Sequence, residues 1–137
     1  MRPIPLALAA LLALLPLPLA AASGQATMTA EEFDAYVTGK TLTYSQFGQV
    51  FGTEEYLPGR KVRWQFTADE CQYGSWYPRD DLICFHYVYD QSEHCWRFWK
   101  EGDGLTALSV DDPPGWELSE VAETTQGLSC PGPDVGV

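Results

Sequence analysis

The chain has 137 residues, 45% hydrophobic and 20% charged, with 12 Gly, 10 Pro, four Cys and a net charge of −11. That length suits one domain rather than several, and five Trp, seven Tyr and six Phe carry too much apolar area for a disordered, collagenous or low-complexity chain. The acidic balance disfavours nucleic acid and anionic lipid surfaces, which the summed field would repel, and is compatible with cationic ligands or basic protein surfaces.

Residues Leu6 to Leu19 contain only Leu, Ala and Pro, behind the single charge of Arg2 and ahead of Ala20-Ala21-Ala22. A short apolar run with a small-residue cleavage pattern reads as a signal peptide over 1–22, with cleavage after Ala26 as the alternative. The run is shorter than the roughly 20 residues a membrane span needs, and Pro16 and Pro18 interrupt it. No later segment is long and apolar enough to span. The exported remainder is expected to be periplasmic or secreted.

After a linker over 23–28, Thr29-Ala30-Glu31-Glu32 forms a capping box and starts a helix. Phe33, Tyr36 and Val37 share one face of it, and Gly39 supplies a left-handed stop. From Thr41 onward, short runs of Thr, Tyr, Val, Trp and Phe alternate with turn residues at intervals near ten, which is all-β punctuation. Pro58-Gly59 suits the centre of a type II turn between strands over 49–57 and 61–67. Further strands are expected over 71–78, 82–88, 94–100, 105–110 and 116–122, the turn after the second of these being Tyr89-Asp90. In 61–66, Val62, Trp64 and Phe66 share one face; in 82–89, Ile83, Phe85, Tyr87 and Tyr89 do. The expected fold class is therefore mainly β: an antiparallel meander of about seven or eight strands closed into a small barrel, with one short N-terminal helix, over 29–124. An open sandwich is the rival. Residues 125–137 form a Gly/Pro-rich tail held by Cys130.

All four cysteines follow the leader, and an even count in an oxidising compartment reads as disulfides. A two-residue turn at Tyr89-Asp90 places Cys84 opposite Cys95, which makes a cross-strand bridge available and leaves Cys71 with Cys130. The alternative is zinc or copper bound by Cys84, His86, His94 and Cys95. The same register sets His94 on the opposite face from the other three, so the disulfide reading is preferred and no metal or other cofactor is expected.

A small barrel either fills its interior or leaves room for one small molecule. Tyr44, Trp64, Trp76, Phe85, Tyr87 and Trp96 are the candidate inward set, as plain core or as a ligand-binding wall. Gly74 marks a bend or a close backbone approach. The carboxylate pairs Glu54-Glu55, Asp80-Asp81 and Asp111-Asp112 read as solvated acids whose side chains point apart. There is no Gly-x-Ser-x-Gly, His-Glu-x-x-His or P-loop, and no catalytic residue is assigned.

The order Gly39-Lys40-Thr41, Pro58-Gly59, Gly74-Ser75-Trp76, Cys84-Phe85-His86-Tyr87 and Cys95-Trp96 resembles a group of small exported bacterial proteins of unknown function with lipocalin-like barrels. More loosely, the capped helix and Gly-x-Trp strand are similar to calycins, including lipocalins and periplasmic inhibitors of metalloproteases. The resemblance implies binding rather than catalysis: a small apolar or aromatic ligand inside the barrel, or a periplasmic protein docked through loops.

Overall fold

A computed structural model describes residues 25–131, so the signal peptide over 1–22, the start of the linker and the end of the tail lie outside the described residues. Helix α1 (Ala30–Val37) precedes eight strands: β1 (Thr41–Gln46), β2 (Gln49–Leu57), β3 (Lys61–Thr67), β4 (Glu70–Arg79), β5 (Leu82–Tyr87), β6 (Asp90–Glu101), β7 (Gly104–Ser109) and β8 (Leu118–Thr124). They run as an antiparallel meander, and pairing of β1 with β8 closes the barrel. Closure rather than a sandwich suits the apolar face that alternation builds on strands such as β3 and β5, since such a face is buried most completely by curling the sheet on itself.

The capping box is formed as expected. The Thr29 hydroxyl accepts from the Glu32 amide, and the Glu32 carboxylate accepts from the Thr29 amide at 2.8 Å. Gly39 takes φ +86° and turns the chain into β1. This lays α1 across one end of the barrel. Phe33, fully buried, meets Tyr56 and Trp76 edge to face and Phe98 at a tilt, with centroids 4.6–5.7 Å apart. Tyr36 fastens the helix from outside: its hydroxyl donates to Glu120, and the Lys40 and Lys100 ammonium groups lie 3.9 and 4.1 Å from its ring centre. Burial beside Glu120 pushes the Tyr36 phenol well above its ordinary pKa.

The Pro58-Gly59 turn joins β2 and β3, with φ +75° at Gly59, and the left-handed conformation continues into Arg60 at φ +60°. Gly74 marks a close approach. A Cβ there would stand 2.4 Å from the His86 carbonyl oxygen, while φ at Gly74 is not left-handed.

Both disulfides have the expected partners, Cys84–Cys95 and Cys71–Cys130. Cys84 pairs directly with Cys95, but the hairpin tip is Val88-Tyr89 rather than Tyr89-Asp90. A register shift between His86 and Tyr87 absorbs the difference, and β6 begins at Asp90. The same kind of irregularity corrects two inward assignments. Phe66 lies within the register shift between Trp64 and Thr67 and is 53% exposed, and Tyr89 sits on the hairpin tip at 75%. The last strand starts at Leu118, leaving Trp116 in the β7–β8 loop.

The tail crosses the outside of β2 and β3. Leu128 donates its amide to Glu55 at 2.9 Å, Glu55 pairs with Arg63 at 2.6 Å, and Cys130 anchors the strap to Cys71 at the start of β4. A Cβ on Gly127 would stand 2.6 Å from a Glu55 carboxylate oxygen, so a side chain there would push the strap off the pair. Glu54 and Glu55 do point to opposite faces, but neither is solvated: both are buried, Glu54 inside the barrel and Glu55 under the tail.

Candidate functional site: a cavity at the open end

Strand directions place the 47–48, 68–69, 88–89 and 110–117 connections at the end of the barrel opposite α1. A cavity of about 240 Å³ opens there, below the roughly 300–1,000 Å³ typical of drug-sized ligands. Its wall carries the rings of Tyr44, Phe51, Tyr56, Trp64, Phe85, Tyr87, Trp96 and Phe98, together with Leu118, Glu54, Gln72, Asp90 and His94. Five of the six residues expected to face inward, Tyr44, Trp64, Phe85, Tyr87 and Trp96, are thus brought together on it.

Trp76 is the exception. It faces inward and is 2% exposed, but it lies deeper, against Phe33, with the Arg60 guanidinium 4.6 Å from its ring centre. It belongs to the floor packing at the helix end and is not a cavity residue. Position along the strand separates these roles: β4 runs away from the mouth, so Gln72 lies near the cavity while Trp76, four residues on, lies near α1.

Register shifts adjoin three of the wall residues: Tyr44 on both its neighbours, Trp64 on the β4 side and Tyr87 on the β6 side. Such irregularities bend a strand and re-aim a side chain. Gly52 does similar work by subtraction. A Cβ there would fall 2.2 Å from the Trp64 indole, so the missing side chain lets that ring lie against β2.

The polar groups of the wall are few and mostly paired. Tyr44 and Tyr56 share a hydroxyl–hydroxyl bond of 2.8 Å. The Tyr87 hydroxyl, reaching from β5 to β2, donates to Glu54 Oε1 at 2.9 Å. Glu54 is only 2% exposed, and among the described residues its Oε2 has no hydrogen-bond partner. Burial pushes the Glu54 carboxyl well above the ordinary carboxylate range, only partly opposed by the bond from Tyr87. Burial likewise raises the Tyr44, Tyr56 and Tyr87 phenols, which therefore stay neutral donors or acceptors.

The mouth is different. Asp90 accepts from the Ser92 amide at 2.9 Å and lies 2.6 Å from His94 Nε2. These bonds, the backbone one foremost, pull its carboxyl down to about 2. Sequence reasoning named Glu54 only as half of an acidic pair taken to be solvated, and it singled out neither Asp90 nor Phe51 as a wall residue. The one usable signal was Glu54's place on β2, in phase with Tyr56.

Comparison of the chain with protein-family models, curated proteins and solved structures finds no match. The site must be read from its own chemistry.

The four residues of the metal alternative do not converge. Cys84 and Cys95 are bonded to each other, His94 pairs with Phe85 and faces the cavity mouth, and His86 is exposed on the outer face. The carboxylate nearest the two sulfurs is that of Glu93, which is engaged by the Tyr77 hydroxyl and the Arg79 guanidinium. Sulfurs joined to each other offer no thiolate to zinc or copper.

Around the mouth lie most of the large exposed hydrophobic side chains of the described residues. Of nine large hydrophobic side chains exposed among the described residues, only Val121 is away from this end. Phe47 and Trp116, from facing loops, meet edge to face at 5.4 Å. Among the described residues no helix is long and apolar enough to cross a membrane.

Proposed function

We propose that this is a non-catalytic binding protein that takes a small aromatic or apolar molecule into the open end of its barrel. The observation that carries the reading is an aromatic-walled cavity of about 240 Å³ that opens at the end opposite α1. The other end is stopped by Phe33. The closed eight-stranded meander supports the likeness to exported proteins with lipocalin-like barrels. Two disulfides support an oxidising, extracytoplasmic setting, as does the leader-like start of the sequence. Because Trp64 and Trp96 stand in the wall, an occupant changes their emission. Titration with toluene and 2-phenylethanol is expected to quench or shift tryptophan fluorescence and to raise the melting temperature in proportion to occupancy. No change in either signal up to the solubility limit of the probes would remove the reading.

The apolar mouth supports a second reading, docking of a periplasmic partner protein through the loops. Recovery of a defined partner from periplasmic extract, lost when Phe47, Tyr89 and Trp116 are replaced by Ser, would favour it. Recovery that ignores those replacements would count against it.

A further inference from the structure

The pocket reading leaves one atom unexplained. Glu54 lines the cavity, and its Oε2 is buried with no hydrogen-bond partner among the described residues, although the other oxygen of the same carboxyl is bonded to Tyr87. Buried polar atoms are almost always paired, and an exception on a residue that lines a cavity points to a group that enters from outside. What that group can be is restricted by the other wall residues.

An anion is opposed by the ionised Asp90 at the mouth, and the wall contains no Lys or Arg to receive it. A purely apolar occupant would seal Oε2 under hydrocarbon and leave it unpaired. A quaternary ammonium has charge but no N–H to offer. A protonated amine has both, and its aromatic or alkyl remainder matches the eight rings of the wall, whose faces also favour a cation. The net charge of −11 and the Asp90 carboxylate at the entrance draw such a ligand in.

Resting on the pocket reading above, we propose that the natural ligand is a small arylalkyl amine, bound as the ammonium ion with one N–H donated to Glu54 Oε2 and its ring held among the aromatic side chains of the barrel. The cavity volume limits it to about one ring and a short chain.

The test compares 2-phenylethylamine with 2-phenylethanol, the neutral counterpart of nearly the same shape, by titration calorimetry and tryptophan fluorescence on the disulfide-intact chain at pH 7. The N,N,N-trimethyl derivative of the amine and 3-phenylpropanoate serve as further probes. The expected result is that the amine binds at least tenfold more tightly than the alcohol and the trimethyl derivative, and that the propanoate is weakest. In Glu54→Gln, with folding checked by circular dichroism, the preference for amine over alcohol is expected to collapse to within about twofold. Equal affinity for amine and alcohol in the unaltered protein would overturn the amine assignment and leave the pocket standing, and so would a preference that survives in E54Q. If neither the amine, the alcohol nor toluene binds, the pocket reading itself fails and the assignment falls with it. The unaltered protein decides the question even if E54Q does not fold.

Discussion

Replacing Phe33 with Ala tests whether α1 is an integral floor of the barrel or an appendage resting on it. Phe33 is fully buried and has four ring partners, Tyr56, Trp76, Phe85 and Phe98, at centroid distances of 4.6–6.5 Å. Truncating a buried Phe to Ala costs about 3–5 kcal/mol, combining lost transfer energy with the residual cavity. Edge-to-face pairs contribute about 0.5–1.5 kcal/mol each beyond area burial, and the three that Phe33 makes, with Tyr56, Trp76 and Phe85, cannot all be recovered by relaxation in a closed barrel. The expected loss is about 4 kcal/mol, a shift of roughly a thousandfold in the folding equilibrium and a large share of the ~5–15 kcal/mol that holds a typical domain together. Urea denaturation followed by tryptophan emission measures it, with an unchanged m-value expected because the exposed area on unfolding is nearly the same. Val121→Ala, at a position 56% exposed on β8, provides the contrast and should lie within about 0.5 kcal/mol of the parent. A loss below about 1 kcal/mol for F33A would refute the floor, because the helix would then come and go without the barrel noticing.

Three further outcomes follow from the same packing. Replacing both Cys71 and Cys130 with Ala opens a link spanning 59 residues and should cost about 4 kcal/mol by chain entropy, against about 3 kcal/mol for the 11-residue link of Cys84 and Cys95; thermal melts indistinguishable from the parent in either case would contradict this. Gly74→Ala forces a methyl against the His86 carbonyl and the Tyr87 ring and should lower stability by about 1–3 kcal/mol, so an unchanged denaturation midpoint would show that β4 and β5 do not approach as closely as described. Burial raises the Glu54 pKa in the folded state above its unfolded value near 4.3, so its protonated form carries no penalty below that pH. Above it, stability falls by about 1.4 kcal/mol per pH unit until the folded acid ionises. E54Q should lack that slope, and parallel stability profiles for the two proteins between pH 4 and 7 would refute it.

The barrel was legible because alternation was strong where it mattered. Val62 and Trp64 on β3, and Ile83, Phe85 and Tyr87 on β5, fixed which face of those strands looks inward, whereas the pairing of Cys84 with Cys95 was reached from a turn placed one residue late, an offset that the register shift after His86 makes good. Period-two reasoning fails at irregularities, and the cavity is edged by them. Phe66 and Tyr89 continue the apolar phase in sequence but lie within a register shift or on a hairpin tip, so they leave the interior. Trp76 is in phase but at the wrong height, and height is set by the stagger of neighbouring strands, which no single strand reveals. Glu54 is the most instructive miss. A carboxylate in phase with Tyr56 was taken as solvated because acids usually are. Here the hydroxyl that reaches it belongs to Tyr87 on β5, 33 residues away in sequence.

The two ends of the barrel divide the work of the fold. At the helix end, α1 is tied to the sheet by Gly39 to Tyr56 and Tyr56 to Lys40 backbone bonds of 2.9 and 2.8 Å, by the Tyr36–Glu120 bond and by the ring cluster around Phe33. At the other end, register shifts interrupt the ladders, and β7 and β8 share only the pairs Thr106–Ser119 and Ala107–Leu118 before the 110–117 loop separates them. Local opening free energies follow such differences in lacing and burial. Exchange of backbone amides should therefore be slowest near Val62 and Ile83 and fastest in the 88–89 and 110–117 connections. Substitutions at the floor then act on the whole molecule, whereas substitutions at Phe51 or Trp116 act on access to the cavity. That separation lets a cavity lined by a buried, half-paired carboxyl persist in a domain this small, because the interactions that hold the chain together do not depend on filling it.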